Sequence, residues 1–544
     1  MHSFSHPEAA AGRLFFNGRI HTADSAFSRA SVLAVRNGVI LYAGHSQDEA
    51  ASLLSPDAER VDLLGHTVIP GLIDSHLHFL TQGRRLSEID IFHKSKNDIL
   101  RLVAQEAQRL KPGEWILGRG WNHETWPENV WPCKEDLDAV APANPVALTR
   151  SDAHSMWLNS PALLASGFER DSETPQGGEI LRTPGGDLQG ILIDTPIFKV
   201  WAAIPPLNDE QTLNAYQKAQ AELFGLGITS VGDAWQTRKD FESLSKAYAG
   251  GTLKIRMYGM LGSVDFDDRP CLRADDRPVH GLFGERLSLR AFKVVLDGSL
   301  GSRSAWLTGD YADRPGHKGN GRYTDEELFE LAAPAAKKGF QICAHAIGDA
   351  AVLQALRVLE KIRAEEAGTD RRHRIEHFQI VAPQDVQRAV SLGIIPAMQT
   401  IHALADKKMA AIRLGPEALR HSYPWREVLD RGGVFANGSD SPMEVVNPFY
   451  GMHAAVTRTD FQSLEGTPRP PVRLTREEAL RSYTTWAAYA EFTESRKGSL
   501  EPGKLADFAV LDRDIMTCPE NGIRDTQVLM TVLGGETVHH GTKL

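Results

Sequence analysis

Cysteine is scarce in this chain. Cys133, Cys271, Cys343 and Cys518 are scattered through 544 residues with no CxxC pair. That spacing excludes a disulfide framework and a cysteine-held zinc or redox site, and it fits a reduced, cytoplasmic compartment. Basic excess is lacking too. The chain has 60 Lys and Arg against 70 Asp and Glu, a net charge of −10, which argues against a general binder of nucleic acid or acidic membrane. No apolar run approaches the roughly 18 residues of a membrane span. The opening "MHSFSHPEAAAGRL" has no basic stretch followed by an apolar core, so no signal peptide is expected. These absences leave a small molecule as the expected partner, with a homodimer as the working guess for assembly.

What is present is organised. The first seventy residues read as short strands between turns, with Asn17-Gly18 and Asn37-Gly38 as hairpin signals. The last segment, "GKLADFAVLDRD" and "VLMTVLGGETVHHG", reads the same way. The simplest arrangement is one small β-sandwich made of residues 1–70 and 495–544, flanking a different middle over 71–494.

That middle alternates apolar runs with helical sequence. The runs are "VIPGLIDSH", "GITSVGDA", "LKIRMYGML", "FKVVLDGS", "FQICAHAIGD", "HRIEHFQI", "GIIPAMQT" and "GVFANGSD". Thr324 and Glu327 form a capping box, Leu328 and Leu331 continue it at helical spacing, and Gly339 ends it, with Pro334 as a candidate kink. Val352, Leu356 and Leu359 make a second apolar stripe. Eight βα units predict an α/β fold, a closed (β/α)8 TIM-like barrel whose active site lies where the strands end. Polar residues gather at those ends: His76, His78, Asp233, Asp297, His345, His377, Gln399 and Asp440.

Their chemistry is specific. His76 and His78 are two apart, so both face one way along a strand and can grip one cation; solvated histidines at a strand end are the plainer reading. Lys293, inside "AFKVVLDG", is costly to bury as a free ammonium. It points outward, pairs with a carboxylate at the barrel bottom, or carries carbon dioxide as a carbamate that bridges cations. Asp440 in "NGSDSP" suits a turn or helix cap, and equally a metal-touching carboxylate that takes a proton from water.

The segments "PGLIDSHLH", "LGRGWNHETWPE", "RSDAHSMWLNSPAL", "FKVVLDGSLGSRSAWL", "CAHAIGDAAV", "RIEHFQIV", "NGSDSPMEVVNPFYGMHAAVTR" and "KGSLEPGKLADFAVLDRD" occur in order over nearly the whole chain. Together they resemble the amidohydrolase superfamily, and most closely its amidohydrolase-3 branch, which includes N-substituted formamide deformylases. The resemblance implies a divalent metal centre, one or two zinc-like ions, held by His76, His78, Lys293, His345, His377 and Asp440. It also implies carbamylated Lys293 as a bridge and hydrolysis of an amide-type C–N bond, other than a peptide bond, through a metal-activated hydroxide with Asp440 as proton shuttle. The alternatives are a single-metal deaminase or a lactone, carbamate or ester hydrolase on the same scaffold, and a catalytically silent scaffold.

Residues 80–225 interrupt the barrel after its first strand and carry Trp115, Trp121, Trp126, Trp131 and Trp157. They read as an aromatic core, a lid, or both. The candidate substrate contacts are His154, Trp121, Asn122, Asp297 and Arg303, with His123 and His402 weighed as weaker mouth residues. The Gly- and Pro-rich stretch 175–190 reads as a mobile loop.

Overall fold

The eight apolar runs all become parallel strands of one sheet. The computed structural model describes residues 12–92, 94–151, 155–175, 178–264, 270–366, 368–458 and 472–541. Among them, β1 (Leu72–Leu77), β2 (Ile228–Gln236), β3 (Arg256–Gly262), β4 (Leu287–Val295), β5 (Gln341–Ala346), β6 (Arg374–His377), β7 (Ile395–Met398) and β8 (Ala436–Asn437) pair in chain order, each parallel to the next. Strands buried on both faces need apolar side chains on both, which is why they read as continuous runs. The sheet curls back on itself at the site. Asp440 N donates to His76 O at 2.7 Å, and His78 N to Ser441 O at 2.8 Å. Gly438 permits this closure, since a Cβ there would stand 2.6 Å from His76 N. The result is a nearly closed (β/α)8 barrel.

Local grammar holds behind the strands. Glu327 N donates to Thr324 Oγ1 and Thr324 N to Glu327 Oε2, starting the helix Asp325–Lys337. That helix runs on through Pro334 to Lys337. The helix Asp349–Glu365 buries Val352, Leu356 and Leu359 against the barrel.

The two chain ends build two sheets, counted among the described residues. One has the order Val39–Gly44, Val32–Arg36, Arg13–Phe16, Glu59–Asp62; the other Glu536–His540, Val528–Leu533, Phe508–Leu511, Thr67–Pro70, Arg19–His21, Arg29–Ala30. Phe15, Leu33, Val68, Phe508, Val510 and Val532 form their common core, and the rings of Phe15 and Phe508 meet edge-to-face at 4.9 Å. The Asn37-Gly38 signal is a true hairpin, with both residues at positive φ between antiparallel strands. Asn17-Gly18 is not. The strands on either side of it belong to different sheets, and the turn carries the chain from one layer to the other. Asn17 Nδ2 bonds Asp62 Oδ1, and Gly18 lies where a Cβ would stand 2.7 Å from Leu63 Cδ1. The glycine serves a close approach rather than a tight hairpin.

The chain divides into two compact units, one of residues up to Phe79 with Gln220 onward, the other Leu80–Ala219. Within the second, a sheet runs Gly178–Arg182, Leu188–Asp194, Ser155–Leu158, Val146–Arg150, Ile116–Trp121, Ile89–Asp90. Trp121, Trp126 and Trp157 are in its core. The stretch expected as a mobile loop is instead largely strand. Gly178–Arg182 and Leu188–Asp194 pair antiparallel around a turn closed by Thr183 and Asp187. Gly185 and Gly186 mark the tip, Gly178 and Gly190 lie within the strands, and Ile180, Leu188 and Leu192 are buried. Among the described residues no helix is long and apolar enough to cross a membrane.

Candidate metal centre

β1 sets Asp74, His76 and, one step beyond, His78 on one face. Asp440, three residues beyond β8, has a left-handed backbone at φ 59°; His377 at the end of β6 has φ 72°. Non-glycine residues hold such backbones only where the surroundings impose them, and they cluster at functional sites. The Asp440 carboxylate is the meeting point. Its Oδ1 lies 3.4 Å from His76 Nε2 and 3.5 Å from His78 Nε2, and its Oδ2 lies 3.9 Å from His402 Nε2. Two donor groups therefore share Asp440: His76–His78–Asp440 and His377–His402–Asp440, each with ligand atoms within 4.8 Å of one another.

Each of two ligand rings is aimed by its other nitrogen. His76 Nδ1 bonds Glu376 Oε2 at 2.5 Å, and His377 Nδ1 bonds Gln399 Oε1 at 2.8 Å. A ring that donates through Nδ1 keeps its Nε2 lone pair for a cation. Glu376 is itself gripped by Arg374, through Nε at 2.8 Å and Nη2 at 2.9 Å, and Arg374 Nη2 also donates to Ser75 O. The chain Arg374–Glu376–His76–Asp440 is wholly buried.

Electrostatics favour the ligand forms. Burial pushes the His76 pKa down, and the neighbouring Lys293 charge adds to this against the pull of Asp440 and Glu376. Burial, with His345 beside it, holds His377 well below the usual imidazole range. Burial would raise Asp440, but the bonds from His76 and His78 outweigh it and keep the carboxyl well below its usual range. Burial likewise lowers the Lys293 ammonium, although Glu376 and Asp440 resist. Asp74, bonded by the amides of Ser439 and His76, is pushed up to about 7 by burial. Asp233, within β2, rises to about 6 for the same reason.

These residues fit a divalent cation. Donors about 2.0–2.1 Å from a tetrahedral ion stand about 3.4 Å apart, which matches the two Oδ1 distances. The buried Nε2 atoms of His345 and His402 have no hydrogen-bond partner among the described residues. Neutral imidazoles and an ionised carboxylate are the forms that bind metal.

A family model described as the amidohydrolase family matches residues 59–539. The chain belongs to that family. It is 33% identical over 542 residues to the Arabidopsis thaliana protein LONG AFTER FAR-RED 3, covering 97% of this chain and 92% of that protein. It is 29% identical over 534 residues to an N-substituted formamide deformylase of Arthrobacter pascens, covering 96% and 97%. A solved metal-dependent hydrolase of Pyrococcus furiosus superposes with a TM-score of 0.77 at 27% identity, covering 93% of this chain and all of the other. As a member of the amidohydrolase family the chain is a hydrolase, and its His and Asp donors form metal-binding groups.

The other sequence candidates distribute unevenly. His345 stands with its ring 4.4 Å from that of His377 and its Nε2 3.4 Å from Asp297 Oδ1. Asp297 is fully buried and accepts the amides of Trp306, Ile347 and Gly348, so its carboxylate anchors the loop entering the helix behind β5. Arg303 pairs with Asp313 at 2.7 Å. Trp121 is buried in the core of Leu80–Ala219 and donates to Leu148 O, and Asn122 caps the short helix His123–Thr125 and receives Arg150. His123 stacks on Trp131 at 3.9 Å. His154 lies outside the described residues.

Sequence reasoning passed over Arg374, Glu376 and Asp74. A signal existed: β6 reads Arg-Ile-Glu-His yet is buried throughout, and charges buried in a strand must find one another.

Proposed function

We propose that this amidohydrolase cleaves the C–N bond of an amide-type small molecule. The observation that carries the reading is the single carboxylate of Asp440, poised between His76 and His78. A divalent cation held by His76, His78 and Asp440 would supply Lewis acidity, making water a better nucleophile at neutral pH and polarising a carbonyl. Lys293, in our reading, carries carbon dioxide as a carbamate and, with His345 and His377, extends the donor set. Glu376 and Gln399 hold the imidazoles in register. Asp440, ionised and with its Oδ2 3.9 Å from His402 Nε2, takes the proton from water and returns it to the departing nitrogen. The Arthrobacter relative named as a formamide deformylase supports an amide. A second reading, a single-cation deaminase, draws on the completeness of the His76–His78–Asp440 group without Lys293.

The test is a panel of N-formyl and N-acetyl amines, amino-heterocycles, carbamates and lactones incubated with metal-loaded enzyme, scored for amine, ammonia or acid. Amine release from an amide is expected. Asp440→Asn, which tolerates the same backbone, should cut turnover by about 10²–10⁴-fold with an unchanged circular dichroism spectrum. Cleavage of lactones alone, or an active Asp440→Asn enzyme, would overturn the reading.

A further inference from the structure

Four arginines line a groove of about 640 Å³ where the chain-end sheets meet the bottom of the barrel: Arg13, Arg36, Arg256 and Arg286. Arg256 opens β3 and Arg286 directly precedes β4. The groove therefore lies at the strand starts, the end of the barrel opposite His76, His78 and Asp440. Arg13 and Arg36 come from the amino-terminal sheet. Two hairpin tips, Asn37-Gly38 and Gly534-Gly535, complete the wall, all four residues at positive φ. The tips touch: a Cβ on Gly38 would stand 3.3 Å from Gly534 O, and one on Gly535 would stand 2.9 Å from Val35 Cγ1.

The wall is fixed, and its charges are unevenly matched. Arg256 is buried and forked onto Asp507, through Nε at 2.6 Å and Nη2 at 2.9 Å, and its Nη1 donates to Glu285 O at 3.1 Å. Asp507 Oδ1 also accepts Gly534 N at 2.7 Å, so one carboxylate ties a hairpin tip to the barrel. Arg13 pairs with Glu59 at 2.8 Å and donates to Gly535 O. Lys254 pairs with Glu536 at 2.9 Å. Arg36 and Arg286 are half-buried, and neither guanidinium has a hydrogen bond or ion pair among the described residues. Of the acids lining the groove, Glu59 and Glu536 are thus taken, and Asp57, exposed to solvent, is left. Two cations face one solvated anion.

A guanidinium without a partner keeps its donors in a fixed fork, the shape that takes a carboxylate or a phosphate two bonds at a time. The volume is that of a small-molecule site rather than of a bare ion. We propose that this groove binds a small organic anion, a phosphoester or a dicarboxylate, through Arg36 and Arg286, at a site separate from the metal centre. Arg36 belongs to the amino-terminal sheet and Arg286 to the barrel. A ligand held by both ties the two layers together and stabilises the fold by binding it.

The experiment titrates full-length, metal-loaded enzyme by calorimetry with ribose 5-phosphate, with glutarate and, as the uncharged control, with ribose. Saturable uptake of an anion is expected, weakening as salt rises, with none of ribose. Arg36→Gln and Arg286→Gln should each weaken it about tenfold. Arg286→Lys keeps the charge without the fork and should fall between. Asp57→Asn should tighten it, a gain that a purely structural pair of arginines would not give. His76→Ala should bind the anion as the parent does. The anion should raise the parent's thermal midpoint and leave that of the Arg36→Gln, Arg286→Gln double variant where it was. Tighter binding of ribose 5-phosphate names the phosphoester as the recognised group, and tighter binding of glutarate names the carboxylate. Absence of saturable binding for both anions would overturn the proposal, as would parent-like binding by the double variant. Binding lost in His76→Ala but kept in the double variant would move the anion to the metal centre and overturn it equally.

Discussion

Glu376→Gln isolates what the buried relay does. The substitution preserves shape but removes one charge from a site where Glu376 and Arg374 are both fully buried. In the parent, burial would raise the Glu376 carboxyl, yet the Arg374 guanidinium and the His76 bond outweigh it and hold it well below the usual carboxylate range. The three donors on this carboxylate stand at 2.5, 2.8 and 2.9 Å. A glutamine offers one acceptor oxygen to those three and leaves Arg374 as a buried, uncompensated cation. Breaking a buried pair from one side costs about 3–5 kcal/mol. Losing the carboxylate behind a ligand histidine costs about 10–100-fold in metal affinity. The first effect is read by denaturant unfolding of metal-free protein, the second by competition against a chromophoric chelator. A double Arg374→Met, Glu376→Met variant controls for the residual charge and should be more stable than Glu376→Gln. Parent-like unfolding together with chelator competition within about twofold would refute the relay.

Removing both imidazoles at the end of β1, in a His76→Ala, His78→Ala variant, should abolish metal binding and activity; full metal content would end the assignment of that pair. Lys293→Ala should lose bound metal, with partial rescue by added short carboxylic acids, and crystals of metal-loaded enzyme showing an unmodified amine turned away from the histidines would refute the carbamate. His21, 3.1 Å from Asp514, has its pKa held below 6.5 by burial despite that partner. Its folded value is below its unfolded one, so its share of stability is complete above about pH 6.5 and is lost as pH falls toward the folded value. His21→Gln should flatten the thermal midpoint over that window, and an unchanged pH slope would exclude His21 as the cause.

The barrel was legible because parallel strands are buried on both faces and cannot hide their apolar runs, and because polar residues stop those runs at one end. His76, His78 and Asp440 stood out for that reason, and the structure gathers them. Arg374 and Glu376 were passed over because their meaning lies in contacts with one another and with His76, three hundred positions away. His402 opens the short helix His402–Ala405 just after β7, where a histidine is ordinary until tertiary structure shows what it faces. Asn17-Gly18 misled because glycine serves tight turns and close approaches alike, and only packing against Leu63 tells them apart. The glycines of 183–190 hid two strands for a similar reason, since the turn residues are conspicuous and the short flanking runs are not.

The pairing of Thr67–Pro70 with Phe508–Leu511 has a consequence on the ribosome. The amino-terminal strands emerge early, but their neighbour in the sheet is made about 440 positions later, and synthesis proceeds at about 5–20 residues per second. For roughly 20–90 s the half-built sheet presents an unsatisfied edge and one side of an apolar core. The barrel's first strand follows directly from Pro70, so the nascent chain must keep that edge solvated, or shielded by a chaperone, until its last fifty residues arrive. Yield on expression should therefore depend more on temperature and chaperone supply than the finished molecule's stability would suggest.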